Sequence, residues 1–307
     1  MKNEQDKRES VDEQEEQEKT EASRRDFLRM GGMGLAGMAG AAALGMQPSK
    51  VHAESSGSGK RRVAILFDSW NHMMPALAHE MVRRNHDLVL GQARDKELIK
   101  ELRKTGARIE VVEDTEDQSK LETYQKLVDR AQEVFDGFNC ACIRTGTHVN
   151  ASVLTGNEKD LDTVYEGNLK SVFYALQAIV PPLVAQKSGQ VVINTSAGAT
   201  RPQPPYALYC ATRQAANALV RATALEVAAD AVTVNATGTA GMEYPSYMHM
   251  VGADTDPEKR KAALEGFPMK RFIQPEDAAN FVATLIDGTA TGQTGQFFSI
   301  DAGYSII

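Results

Sequence analysis

Apolar and polar positions follow two alternating patterns from residue 62 to the C-terminus. Short runs rich in β-branched residues predict strands at 63–67, 88–90, 109–112, 138–143, 190–195, 232–236 and 296–300. Stretches with helical spacing predict helices at 75–84, 96–105, 118–135, 161–186 (with a break at prolines 181–182) and 211–229, and a last helix starting at 275. Strands that alternate with helices are typical of a parallel sheet covered on both faces. We therefore predict one α/β domain, a doubly wound parallel sheet of about seven strands.

The first 53 residues lack this pattern and are predicted to be a targeting segment. Residues 1–22 consist largely of Glu, Gln, Lys and Asp and cannot bury a core. An arginine pair at 24–25 precedes a short Gly- and Ala-rich apolar stretch, and Val51-His52-Ala53 is typical of a cleavage site. This order predicts an acidic n-region plus a twin-arginine signal peptide over 1–53. We expect the twin-arginine translocase as a partner during export, and a periplasmic or other extracytoplasmic location.

A Gly- and Ser-rich linker at 54–61 leads into the predicted domain, residues 62–307. Within this domain the stretch 239–267 has no regular spacing and is rich in Tyr and Met, so we expect an irregular lid over the site. Met242, Tyr244 and Tyr247 in this stretch are predicted to line an apolar pocket for a small-molecule substrate.

Composition narrows the classes of function. The formal net charge is −7 at pH 7 and no basic stripe is present, which excludes a nucleic-acid-binding role. The sequence has 3 cysteines, and Cys140 and Cys142 alternate within a predicted strand, as buried core thiols do. We predict neither a disulfide framework nor a metal site.

Four polar residues at fixed spacing are the candidate catalytic set. Tyr209 follows Ser196 by thirteen residues, and Arg213 follows Tyr209 by four. Asn168 lies 28 residues before Ser196, within Gly167-Asn168-Leu169. A phenol has a pKa near ~10, and a fixed cation close by lowers that pKa. A serine hydroxyl can donate a hydrogen bond to a substrate oxygen, so the set is suited to proton transfer at that oxygen.

This spacing resembles the short-chain dehydrogenase/reductase superfamily, and the tail is similar too, with Pro275-Glu276-Asp277-Ala278 and Asp301-Ala302-Gly303. The resemblance implies a Rossmann-like fold with the serine at the end of the fifth strand and the tyrosine at the start of the next helix. Tyr209 and Arg213 would then share one helix face. It also implies a homo-oligomer and an NAD(P) cofactor held by a glycine-rich first turn.

The sequence departs from the superfamily at the residues that would hold this cofactor. The first turn carries Phe67, Asp68, His72 and Met74 where the superfamily has a threonine and glycines, and no glycine remains in 67–74. Bulky side chains would occupy the space of the pyrophosphate, and a carboxylate would repel it. Gln92 stands where the superfamily has an acidic residue that binds the ribose. Arg144 lies in the segment where the superfamily has Asn-Asn-Ala-Gly, and Arg213 replaces the superfamily's lysine. We therefore expect no cofactor, with NAD(P) only if the protein is an oxidoreductase.

Three hypotheses about function follow. The Ser196-Tyr209-Arg213 spacing is similar to that of halohydrin dehalogenases, which favours cofactor-independent acid/base chemistry on an alcohol or epoxide, although their first-turn halide motif does not match here. The first alternative is an NAD(P)-dependent oxidoreductase acting on a CH–OH or C=O group, in which Arg94 binds a 2′-phosphate. The second is a non-catalytic exported protein with this fold.

Overall fold

The computed structural model describes residues 61–307, so the predicted signal peptide and all but the last residue of the predicted linker lie outside the described residues. Seven strands are present in this part of the chain. They are β1 (Arg62–Phe67), β2 (His86–Gly91), β3 (Ile109–Val112), β4 (Cys140–Arg144), β5 (Gly189–Asn194), β6 (Val232–Thr239) and β7 (Phe297–Ile300).

Helices connect these strands. They are α1 (Met74–Arg83), α2 (Lys96–Lys104), α3 (Leu121–Phe135), α4 (Glu158–Tyr165), α5 (Ser171–Ala185), α6 (Ala207–Val227), α7 (Pro245–Val251), α8 (Pro257–Glu265) and α9 (Pro275–Ile286). A π-helical turn, Glu166–Lys170, joins α4 to α5, and a 3₁₀ turn, Ala197–Ala199, follows β5. No helix within residues 61–307 combines the length and apolar character needed to cross a bilayer.

All strands pair in parallel in one sheet with the order β3-β2-β1-β4-β5-β6-β7. The chain runs outward from β1 to β3 and then returns to β4 on the other side of β1. Ligands of doubly wound sheets bind outside the carboxyl ends of the strands at this reversal. The predicted doubly wound, Rossmann-like fold is confirmed. The reversal of strand order lies between β1 and β4, so we expect the functional site at the carboxyl ends of these strands.

Alternate residues of each strand pack on opposite faces of the sheet. In β1, Ala64 and Leu66 belong to the cluster shared with α1 and α9. Ile65 and Phe67 belong to the cluster shared with α3, α5 and α6. Both faces of the sheet are therefore buried, which explains the continuous apolar runs in β1 and β4, whereas β6 carries the buried polar residues Thr233, Asn235 and Thr237.

The structure corrects several sequence predictions. The predicted lid, 239–267, is not irregular, because it contains α7 and α8. Pro245 and Pro257 each stand in the first turn of these helices, where a missing N–H is harmless, and Asp256 caps the second one. The helix predicted at 161–186 does not break at its two prolines, which lie inside α5. Its irregularity is instead the π-helical turn before α5.

Candidate functional site

Ser196 and Tyr209 lie at the carboxyl edge of the sheet, on the two elements that the sequence predicts for them. Ser196 follows β5 and its hydroxyl oxygen accepts a hydrogen bond from the Gly198 amide at 3.1 Å. This bond caps the short 3₁₀ turn and fixes the hydroxyl. Tyr209 is the third residue of α6, so its side chain leaves the first turn of a long helix.

Arg213 lies one turn further along α6, and its guanidinium carbon is 5.3 Å from the centroid of the Tyr209 ring. Its Nη2 donates a hydrogen bond to the carbonyl of Thr145 at 2.6 Å. Gly146 makes this approach possible: a Cβ there would lie 1.6 Å from that nitrogen, and the glycine has a φ of +139°. The loop after β4 therefore needs a glycine at this position.

The surroundings of Tyr209 favour its ionised form. Burial alone would raise the pKa of the phenol. The charge of Arg213, contacts with the Ser196 and Arg213 side chains, and the charge of Arg144 all lower this pKa. The net result is a Tyr209 pKa below the ordinary value.

Asn168 lies in the π-helical turn, a feature common at functional sites. Its amide oxygen accepts from the Thr147 N–H at 2.9 Å, and its amide nitrogen donates to the Thr147 carbonyl at 3.1 Å and to the Thr212 hydroxyl at 3.0 Å. Asn168 therefore fixes the loop after β4 to α6. It is a positioning residue for Arg213 and Tyr209 in this arrangement.

The first turn after β1 contains no glycine, although two of its residues adopt backbone conformations that favour glycine. Asp68 and His72 have φ values of 67° and 61°, in the left-handed region. Asp68 is 3% exposed and accepts a hydrogen bond from Arg144 in a buried ion pair that joins the ends of β1 and β4. Met73 and Met74 are fully buried, whereas Trp70 is 37% exposed. The turn is thus filled by Asp68, His72 and the methionines, and not by Trp70.

His72 bridges the two sides of the groove. Its Nε2 lies 2.9 Å from the hydroxyl oxygen of Thr239, the last residue of β6. Burial, with a smaller contribution from the Arg213 charge, lowers the pKa of His72 to about 3, so the imidazole is neutral at neutral pH. The ring passes beyond the ends of β4 and β5, which lie between β1 and β6 in the sheet.

The turn after β1 differs from a glycine-rich dinucleotide-binding turn in its side chains and in the partners of two of its amides. The His72 N–H donates to the Asn71 side chain at 2.9 Å and the Met74 N–H to the Asn71 carbonyl at 3.1 Å. Pro75, the next residue, has no N–H. At the end of β2, the Gln92 side-chain nitrogen donates to the Thr115 carbonyl at 2.9 Å.

The predicted lid residues divide into two groups. Tyr244 lies over the site, with its ring 5.1 Å from that of His72, and Tyr247 stacks on Tyr244 at 6.0 Å. Met242 is 2% exposed and belongs to the hydrophobic core, so it does not line an open pocket. Its backbone forms a bridge with Ile273.

Two site residues have roles that the sequence does not indicate: Arg144 is the partner of Asp68, and Thr239 is the partner of His72. His148, a loop histidine that the sequence places near the site, has its ring 4.8 Å from that of Tyr209. Burial and the Arg213 charge lower the pKa of His148. The position of His148 in the loop after β4, beside the glycine that admits Arg213, is the one signal that points to it. Within residues 61–307 no group of three or more His, Cys, Asp or Glu side chains is arranged to hold a metal ion.

Comparison with known proteins agrees with this architecture. A family model described as "Enoyl-(Acyl carrier protein) reductase" matches residues 75–305. The 4-formylbenzenesulfonate dehydrogenase TsaC1/TsaC2 of Comamonas testosteroni is 32% identical over 191 residues, which cover 62% of this chain and 76% of that protein. The 3-oxoacyl-(acyl-carrier-protein) reductase FabG of Staphylococcus epidermidis is 33% identical over 148 residues, which cover 48% of this chain and 58% of that protein.

A solved structure gives the same result for the fold. The crystal structure of Cj0485 dehydrogenase superposes with a TM-score of 0.74 at 25% identity, over 81% of this chain and 95% of that one. The strand order, the positions of Ser196 and Tyr209, and a family model that spans well over half of the sequence lead to one conclusion. The chain belongs to the short-chain dehydrogenase/reductase superfamily.

Proposed function

We propose that this protein is an enzyme in which Tyr209 transfers a proton to or from a substrate oxygen without a nicotinamide dinucleotide in the groove. The observation that carries the proposal is the contrast within one site. Tyr209 has Ser196 and a buried cation beside it, whereas the turn after β1 has no glycine and its polar side chains form the Asp68–Arg144 pair and the His72–Thr239 contact.

The side chains suit one class of reaction. The Ser196 hydroxyl donates a hydrogen bond to the substrate oxygen, and the Tyr209 phenolate accepts the proton of a substrate hydroxyl. The charge of Arg213 stabilises the phenolate before the transfer. In an alcohol with a leaving group on the neighbouring carbon, the freed oxygen electron pair forms the new C–O bond of an epoxide, and the leaving group departs with its bonding pair. In the reverse direction an anionic nucleophile forms a bond to one epoxide carbon, the C–O electron pair returns to oxygen, and Tyr209 gives its proton to that oxygen.

A second candidate is an NAD(P)-dependent oxidoreductase acting on a CH–OH or C=O group. The relatives from Comamonas and Staphylococcus are named as a dehydrogenase and a reductase, so ancestry favours this candidate over the dehalogenase-like one. A cleft beside the end of β2 also has a basic lining suited to a phosphate, formed by Arg94, Lys96, Lys100, Arg103 and Lys104. Arg94 itself lies over the Trp70 ring at 4.8 Å.

Turnover by the purified full-length chain separates the two candidates. Proton release is measured on a panel of halohydrins, epoxides, alcohols and ketones, with and without NAD(P)H or NAD(P)⁺. We expect turnover without dinucleotide, and a loss of roughly 10²–10⁴-fold in Tyr209→Phe because the proton acceptor is removed. Tyr206→Phe is the matched control, since Tyr206 lies one turn before Tyr209 and its ring also contacts His148, at 4.7 Å.

The outcomes are distinct. Turnover only with added dinucleotide, or stoichiometric binding of NADH or NADPH by calorimetry, supports the second candidate against the first. Equal losses in Tyr209→Phe and Tyr206→Phe contradict the role of Tyr209. A chain that neither turns over the panel nor binds a dinucleotide contradicts both candidates and supports the non-catalytic hypothesis.

Export and assembly are further parts of the proposal. The arginine pair and cleavage site in 1–53 support twin-arginine export to a periplasmic or other extracytoplasmic location. The exposed side chains of Phe173 on α5 and Leu225 on α6 support a homo-oligomer, because these apolar groups are 47% and 83% exposed in one chain.

A further inference from the structure

Arg213 is a buried cation without a counter-ion. The residue is 5% exposed, and it forms no ion pair with any residue between 61 and 307. Its Nη2 bonds the Thr145 carbonyl, but Nε and Nη1 are buried and have no hydrogen-bond acceptor in this part of the chain. Buried guanidinium groups are normally paired and hydrogen-bonded. Apart from the contact with the Tyr209 phenol, residues 61–307 supply no carboxylate and no further acceptor for this guanidinium.

The charges around Arg213 do not neutralise it. The titratable groups that face it are Tyr209, Arg144, His72 and His148. Arg144 is the second cation, and its pair with Asp68 leaves no negative charge over for Arg213. His72 is neutral, and its buried Nδ1 also lacks a partner among residues 61–307. The cluster therefore carries about one net positive charge beside Tyr209 while the phenol is protonated.

We infer that this site takes a substrate bearing a carboxylate, which binds Arg213 through the guanidinium nitrogens that lack acceptors and lies beside the Tyr209 hydroxyl. The inference rests on the proposed function in treating Tyr209 as the reacting group. A carboxylate is an acceptor-only group with about four lone-pair sites, so it can satisfy several N–H donors and one positive charge together. A neutral hydroxyl or amide supplies no charge, and a halide has no directional pair of oxygens to match the planar guanidinium.

Binding of a simple carboxylate tests the inference without turnover. Acetate, its neutral isostere acetamide, and chloride are compared at constant ionic strength on the full-length chain. Two quantities are measured: the midpoint of thermal unfolding, and the midpoint of Tyr209 ionisation, taken as the tyrosinate absorbance of wild type minus that of Tyr209→Phe. We expect acetate to raise both midpoints, the first because it binds the folded state and the second because a bound anion opposes the stabilisation of the phenolate by Arg213. Acetamide and chloride should leave both unchanged.

A matched arginine supplies the control. Arg201 also lies beside a tyrosine ring and bonds a backbone carbonyl, but it is only half-buried: its guanidinium carbon is 4.4 Å from the Tyr304 ring centroid and its Nη1 bonds the Tyr304 carbonyl at 2.8 Å. Arg201→Gln should keep the response to acetate, whereas Arg213→Gln should lose it. If Arg213→Gln does not fold, the comparison of acetate with acetamide on wild type decides alone.

Other results overturn the inference. Equal effects of chloride and acetate indicate a site for any small anion and exclude the carboxylate assignment. No effect of acetate indicates that Tyr209 itself is the sole partner of Arg213. An acetate response together with no Tyr209-dependent turnover supports the carboxylate site while contradicting the proposed function, so the two can fail separately.

Discussion

Two segments at the carboxyl edge of the sheet have changed in opposite ways. The first turn, 67–74, has no glycine but places Asp68 and His72 in the left-handed region that favours glycine, and both side chains are buried. The segment from Ser196 to Arg213 keeps both the path and the polar side chains that the superfamily resemblance implies. In the first segment the backbone conformation favours glycine but the side chains are not glycine. In the second segment the side chains are largely those that the resemblance implies.

This difference shows what each segment depends on. The path of the first turn is fixed by its neighbours, since Ser69 donates its N–H to the Gly91 carbonyl at 3.1 Å and its hydroxyl to the Leu66 carbonyl at 2.9 Å. New polar side chains in that turn need new partners, and Arg144 and Thr239 supply them. In the second segment, α6 alone places Tyr209 and Arg213 one turn apart, so one substitution from lysine to arginine preserves the arrangement.

The largest expected effect comes from breaking the new ion pair. Arg144→Leu leaves the Asp68 carboxylate buried without its cation, and we expect the free energy of unfolding to fall by roughly 3–5 kcal/mol. Denaturant unfolding monitored by circular dichroism measures this change. The double variant Asp68→Leu/Arg144→Leu removes both charges and should recover most of the loss. If the single and double variants are equally unstable, the pair does not hold the turn in place.

A smaller effect is expected from Gly146→Ala, in the loop after β4 that contacts Arg213 of the second segment. The added Cβ would meet the Arg213 guanidinium and would also strain a backbone at φ +139°. Gly137→Ala is the matched control, because Gly137 has a φ of +125° and its added Cβ would find its nearest atom only at 3.9 Å. We expect the control to lose about 1–3 kcal/mol of stability from strain alone.

Gly146→Ala should lose more than this control, and it should also raise the Tyr209 pKa because Arg213 is displaced. Spectrophotometric titration of tyrosine compares the two variants with wild type. Equal stability losses and an unchanged Tyr209 titration would show that Arg213 does not depend on the close approach at Gly146.

The sequence predicts the fold well because burial on both faces of the sheet gives strands such as β1 and β4 a continuous apolar run. It fails at α7 and α8, the two helices of the predicted lid. These are short, and α8 has no buried residue, so neither produces a clear apolar stripe. Proline in the first turn and the Asp256 cap are the signals that would have identified them.

The contacts of the site also fall into those that the sequence predicts and those that it does not. The proximity of Tyr209 and Arg213 follows from their spacing on one helix. The Asp68–Arg144 pair joins residues 76 apart and the His72–Thr239 contact joins residues 167 apart. Such contacts depend on strand order and on rotamers in the closed groove, which single-sequence patterns do not contain. The sequence predicts that the turn has lost its glycines, but only the structure shows which side chains occupy it.

The smallest expected effect tests the role of His72 in the first turn, 67–74. Its folded-state pKa of about 3 lies below the ordinary histidine value of 6.5, so the unfolded chain binds a proton that the folded chain excludes. Stability is therefore complete above the unfolded pKa and is lost as the pH falls toward the folded one. Between about pH 7 and about pH 5 the loss due to His72 amounts to roughly 2 kcal/mol.

His72→Gln keeps a polar group for Thr239 and removes this titration, so its free energy of unfolding should decline less steeply with acid than that of wild type. His86→Gln is the control for the loss of a buried histidine. His86 begins β2, away from the site, and burial, with the Arg62 charge, lowers its pKa to about 4. Chemical unfolding at a series of pH values measures all three proteins. If the wild-type and His72→Gln profiles run parallel, the imidazole is solvated and protonates freely. The groove would then be open at this point, and the contrast between the two segments would lose its main physical support.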